Sequence, residues 1–212
     1  MVGVPLRKRM KIILIVLATL IISDVTYLVF AQSLNQYLFF SGNKDTMKKL
    51  MEPEQLNTVR ASIEEYFGGA NRNYTLQDLF EWESKHLRFV DSFPWFNLGR
   101  PAADPKDILN AGMGKCGEFA ILYTAACLSV GIEARLAVVT KSDYSVAPHG
   151  FCMVNINGSW IQVDPSCYTP NKLVFNDTSP YQTWDWGPRV GKDYSIFDFD
   201  ANNAYNVTSL FV

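Results

Sequence analysis

Cys116, His149 and Asp164 supply a thiol, an imidazole and a carboxylate, the residue types that suit nucleophilic acyl transfer. Cys116 opens the apolar stretch 116–130, which reads as a helix stopped by Gly131. Its sulfur therefore lies where unpaired N–H groups and the helix dipole favour an anion. His149 directly precedes the strand-like run Gly150–Ile156, and Asp164 directly follows Trp160–Val163. Between the two runs stands Asn157-Gly158, a two-residue hairpin signal. With the turn centred there, paired positions sum to about 315, which puts His149 opposite residue 166 and one diagonal step from Asp164 on the same face. The expected chemistry is that of a triad in which His149 moves the proton and Asp164 orients the ring.

The elements that must hold these residues can be read from the chain on either side. Pro53–Phe67 places Leu56, Val59, Ile63 and Phe67 on one stripe, an amphipathic helix closed by Gly68-Gly69. Thr75 and Asp78 form a capping-box pattern ahead of a second helix bearing Leu79, Trp82 and His86. Asp104-Pro105 starts a short helix, Phe89–Arg100 reads as loop, and Ala134–Thr140 reads as a strand. The tail from Tyr168 reads as packed loops with one or two strands, and core packing is the favoured reading of its Trp184 and Trp186. Of the other cysteines, Cys127 is expected in the core; Cys152 and Cys167 are read as core too, with a bridge between them as the alternative. His86 is expected to be a partly exposed helix residue rather than a second base.

Gly114-Lys115-Cys116-Gly117-Glu118, then His149, then Trp160-Ile-Gln-Val-Asp164-Pro165 resemble the transglutaminase-like superfamily, with its Cys, His, Asp order. The resemblance covers roughly Thr75–Cys167. It implies an α+β, papain-like core in which the cysteine helix packs on an antiparallel sheet, and hydrolysis of peptide or amide bonds through an acyl-thioester. Cys-Gly-Glu followed by Phe119 is also similar to the peptide N-glycanase branch, whose usual C-x-x-C zinc motifs are missing here. Amine transfer and a catalytically silent cell-surface binding module are the other readings. The oxyanion of the reaction would take the Cys116 N–H and a second donor, for which Trp82 and Trp95 are candidates. No cofactor and no metal site are expected, since only two histidines and no C-x-x-C pair are available.

Composition bounds the setting. Four cations, Arg7, Lys8, Arg9 and Lys11, precede an apolar run from Ile12 to Ala31 broken only by Ser23-Asp24, long enough for a membrane helix or a signal segment. The anchor is the favoured of the two, with cleavage near Ala31 as the alternative. The basic flank places the N-terminus in the cytoplasm and the body outside. The body is then acidic and no basic stripe interleaves with its aromatics, which argues against a dedicated nucleic-acid binder; a polypeptide or glycopeptide substrate is what the resemblance implies. Four N-glycosylation triplets, at Asn73, Asn157, Asn176 and Asn206, exceed the roughly two expected by chance. The expected division is a membrane segment at 1–31, a linker and amphipathic helix at 32–72, and the catalytic domain at 73–212.

Overall fold

A computed structural model describes residues 6–69, 72–90, 104–144, 149–166 and 190–211. Five helices occur among them: α1 (Leu6–Leu50), α2 (Pro53–Tyr66), α3 (Leu76–His86), α4 (Pro105–Ala111) and α5 (Cys116–Ser129). Seven strands accompany them: β1 (Arg88–Phe89), β2 (Met113–Gly114), β3 (Ala134–Lys141), β4 (His149–Ile156), β5 (Ser159–Val163), β6 (Tyr194–Phe199) and β7 (Ala204–Asn206). β3 to β7 form one antiparallel sheet in the order β5-β4-β3-β6-β7. The α+β class expected from the sequence is the one found.

Local chemistry accounts for the boundaries. The Thr75 capping box is complete: the Asp78 N–H donates to Thr75 Oγ1 (3.1 Å) and the Thr75 N–H to Asp78 Oδ2 (2.8 Å). Asp104 caps α4 by accepting from the Lys106 N–H at 3.0 Å. α5 stops at Gly131, whose φ of +85° suits glycine, and the Ile132 N–H returns to the Cys127 carbonyl at 2.9 Å. Asn157 and Gly158 both take positive φ (53° and 85°), so the β4–β5 turn has the twist that a tight hairpin needs.

α5 is the centre of the core. Every residue from Glu118 to Cys127 is buried, and the helix packs on β4 and β3 on one side and on α2, α3 and α4 on the other. Trp82, Phe119, Tyr123 and Leu122 are fully buried there. The opposite face of the sheet has a smaller apolar cluster built on Val139, Phe151, Met153 and Ile196, joined by Trp160 and Phe211.

Two expectations change. Residues 32–50 are not a linker: α1 continues without a break through Ser41–Lys49 and buries Phe39, Met47 and Leu50 in the domain core. The Phe39 and Phe40 rings lie 5.1–6.1 Å from those of Tyr144, Phe197 and Phe199, and this aromatic packing orders a stretch expected to be linker. Arg88–Phe89, at the edge of the expected loop, is a short strand paired in parallel with Met113–Gly114. The rest of that loop, Cys167 and most of the tail, including Trp184 and Trp186, lie outside the described residues.

Candidate active site

The structure brings the three predicted side chains together. Cys116 is the first residue of α5 and half-buried; His149 is the first residue of β4, and Asp164 follows the last residue of β5. The hairpin has the expected register, with Cys152 opposite Val163. His149 Nε2 and Asp164 Oδ2 are 2.5 Å apart, and both side chains are fully shielded from solvent.

Asp164 is held from behind. Its Oδ1 accepts from the Ser166 N–H (3.1 Å) and the Ser166 hydroxyl (2.8 Å), so one oxygen is fixed while the other faces the imidazole. Ser166 was missed at the sequence level, although Asp-Pro-Ser is the pattern of a side chain that bonds the backbone two residues on. The Phe151 ring, on the same strand face, lies nearly parallel to His149 at 6.3 Å and is buried.

With Nε2 turned to Asp164, Nδ1 is the ring nitrogen left to serve the thiol. Burial by itself would raise the Cys116 pKa. The hydrogen bond and charge of His149, with a hydrogen bond from the Gly150 N–H, outweigh it and hold the thiol below its ordinary value. Burial likewise opposes a charged His149, yet the Asp164 carboxylate and the Cys116 sulfur push its pKa up to about 9. The two shifts run in opposite directions, and each favours the charged form of its group.

The approach of β4 to the start of α5 is close. A Cβ on Gly150 would stand 3.5 Å from the Gly117 Cα. Gly114 is more constrained: a Cβ there would come within 2.6 Å of the Glu118 Cβ. Glu118 itself reaches back so that its Oε2 accepts the Lys115 N–H at 3.0 Å, which fixes the first turn of α5 and with it the Cys116 N–H.

Trp82 does not serve as the second oxyanion donor. Its indole N–H donates to Ser62 Oγ at 3.2 Å, and the side chain is wholly buried between α3 and α2. Trp95 lies outside the described residues. His86 is partly exposed, with Nδ1 on the Trp82 carbonyl at 2.7 Å. No group of three or more histidine, cysteine or carboxylate side chains with metal-binding geometry occurs among the described residues.

Behind the triad sits Glu83 of α3, only 1% exposed. Its Oε1 has no hydrogen-bond partner among the described residues. Burial, then the Cys152 thiol and the Asp164 carboxylate, push its pKa well above the usual carboxylate range. Nothing in the sequence pattern distinguished it from an exposed helix glutamate.

Comparison with known proteins agrees with this geometry. Residues 64–165 match the family model of the Transglutaminase-like superfamily. A peptide-N(4)-(N-acetyl-beta-glucosaminyl)asparagine amidase of Oryza sativa subsp. japonica is 36% identical over 73 residues, 34% of this chain and 14% of that protein. Among solved structures, Rad4–Rad23 crosslinked to undamaged DNA superposes with a TM-score of 0.62 at 11% identity, over 90% of this chain and 49% of that one. A candidate cysteine protease from Cytophaga hutchinsonii gives 0.43 at 19% identity, over 77% and 53%. The chain thus spans about half of each of these structures and far less of the rice amidase. Residues 64–165, the segment that holds Cys116, His149 and Asp164 in one cluster, are a domain of the transglutaminase-like superfamily.

Proposed function

We propose that the chain is an extracytoplasmic, thiol-dependent acyl-transfer enzyme that hydrolyses peptide or amide bonds. The observation that carries this is the half-buried Cys116 at a helix N-terminus, its pKa lowered by a His149 that Asp164 holds in place.

In this reading the Cys116 thiolate attacks the carbonyl carbon, and the oxyanion that forms takes the Cys116 N–H at the start of α5. The protonated His149 gives its proton to the leaving nitrogen as the C–N bond breaks, and an acyl-thioester remains. His149, now neutral, takes a proton from water, whose oxygen attacks the thioester carbonyl. The acid departs as the thiolate and imidazolium are restored. Asp164 stays ionised throughout and balances the imidazolium.

A second reading, removal of a carboxamide-linked group in the manner of a peptide N-glycanase, is favoured by the 36% identity to the rice amidase across the segment it matches. The extracytoplasmic setting is supported by the four N-terminal cations ahead of α1, the one described helix long and apolar enough to cross a membrane. Asn73, Asn157 and Asn206 are exposed, as glycan acceptors must be, while Asn176 lies outside the described residues. The polypeptide or glycopeptide substrate follows from the same reading, and the acidic body argues against nucleic acid as partner despite the shared Rad4 fold.

The test is turnover of peptide and glycopeptide amide substrates by the wild type beside Cys116→Ala. Release of amine or free glycan by the wild type alone supports the reading, and equal release by both variants removes Cys116 from it.

A further inference from the structure

A cavity of about 360 Å³ opens where α3 runs into β1, within the size range of ligand pockets. Lys85 and His86 from the last turn of α3 line it, with Leu87 and with Arg88 and Phe89 of β1. No carboxylate among the described residues lines it, although the body of the chain is acidic.

Part of this positive charge has a structural cause. Lys85 and His86 stand where a helix C-terminus favours cations, and His86 Nδ1 is committed to the Trp82 carbonyl at 2.7 Å. Arg88 lies beyond the helix, so the dipole does not account for it. Arg88 and Lys85 are both exposed, and neither forms an ion pair among the described residues. The main chain has little to offer an anion here: the Leu87 N–H donates to the Glu83 carbonyl (2.8 Å) and the Arg88 N–H to the Gly112 carbonyl (3.1 Å). Recognition therefore falls to side chains, two exposed cations beside the exposed Phe89 ring.

The cavity stands near the nucleophile. Phe89 pairs with Gly114, two residues before Cys116. Neighbouring strands lie about 4.8 Å apart and consecutive Cα atoms about 3.8 Å, so the Phe89 and Cys116 Cα atoms are within about 12 Å of each other, the span of about four residues of extended chain. Lys115, on the connecting stretch, is a further exposed cation.

We propose that the cavity at Lys85, Arg88 and Phe89 is a substrate subsite for an acidic side chain, a glutamate or aspartate about four residues from the bond that Cys116 attacks. The proposal rests on the acyl-transfer reading given above and adds the class of polypeptide that the site selects. A carboxylate there meets two cations with no competing partner, while the apolar stem of a glutamate lies against the Phe89 ring. A lysine in the same place would face like charges, so the subsite also rejects basic sequences. Exposed charges contribute modestly, so the subsite selects among polypeptides rather than holding one tightly.

The experiment follows iodoacetamide alkylation of Cys116 in the full chain in mild detergent. Acetyl-tetraglutamate amide is the probe, and acetyl-tetraglutamine amide is its neutral match. A peptide seated in the cavity spans the distance to Cys116 and shields the thiol, so alkylation should slow about threefold at a peptide concentration about twice its Kd. Tetraglutamine at the same concentration should not slow it, and high salt should relieve the protection. Lys85→Gln combined with Arg88→Gln, both on the surface, should weaken the protection about fivefold and leave the melting temperature unchanged. Tetraglutamate without effect overturns the proposal, as does protection that the double variant retains or that tetraglutamine matches. A Cys116 that alkylates no faster than Cys127 in the absence of peptide refutes the acyl-transfer reading itself.

Discussion

Asp164→Asn separates charge from shape at the site. Asparagine keeps an Oδ1 that can accept from the Ser166 N–H and hydroxyl, so the turn after β5 should survive. What is lost is the negative charge facing His149. The imidazole titrates near 6.5 when unperturbed and at about 9 here, a difference of about 2.5 pH units, or about 3 kcal/mol at 1.36 kcal/mol per unit. At pH 7.5 nearly every wild-type molecule carries the imidazolium. At a pKa of 6.5 only about a tenth would, and burial lowers the fraction further. The amide NH2 of the new side chain would also donate to Nε2 and leave the proton on Nδ1, the nitrogen that must accept from the thiol. Iodoacetamide alkylation of Cys116 at pH 7.5 should therefore slow by about tenfold or more. Stability gives an independent sign. A raised His149 pKa contributes stability that is complete below about pH 6.5 and lost as pH rises through about 9. The wild type should exceed the variant by up to about 3 kcal/mol at pH 6, and the two should converge near pH 10. Alkylation at the wild-type rate, or a melting-temperature gap that does not change with pH, would refute the argument that Asp164 charges His149.

Cys116 should alkylate faster at neutral pH than Cys127 or Cys152, and Cys116→Ala should abolish turnover while shifting the melting temperature by only a few degrees, since the side chain is half-exposed. Glu83→Gln should raise stability at pH 7–8 by 1 kcal/mol or more in a denaturant titration. A carboxyl whose folded pKa is raised loses stability as pH climbs above its ordinary value of 4.5, and glutamine does not titrate; equal midpoints at pH 5 and pH 8 for both proteins would count against it. Gly114→Ala should cost about 1–3 kcal/mol, because its Cβ would meet the Glu118 Cβ at 2.6 Å. It should also slow Cys116 alkylation by displacing the first turn of α5, whereas Gly117→Ala, with open space around it, should do neither.

The parts of this site that the sequence makes legible are those set by short-range periodicity. Asn157-Gly158 fixes a tight turn, the turn fixes the pairing of Cys152 with Val163, and that register delivers His149 and Asp164 to one place. The parts that stay hidden depend on contacts distant in sequence. Trp82 looks like a free indole donor until α2 brings Ser62 to it from twenty residues upstream. Ser41–Lys49 reads as linker because its composition is polar, and only the aromatic rings of β6 and of Tyr144 show why the helix persists there. β1 and β2, at two residues each, are too short to carry any period.

Cysteine reactivity shows the same division within a single helix. Cys116 and Cys127 lie eleven residues apart on α5, and the sequence ranks them only by distance from the helix start. In the folded protein their acidities move in opposite directions. Cys127 is wholly buried, and that burial, then the Cys152 thiol beside it, drives its pKa well above the ordinary value. Cys116 bears a burial penalty too, but the hydrogen bond and charge of His149 and a hydrogen bond from the Gly150 N–H reverse it. The helix dipole acts within the first turn alone. What distinguishes a nucleophile from a core thiol here is the hairpin, which closes His149 over the N-terminus of α5 and leaves the far end of the same helix to Cys152.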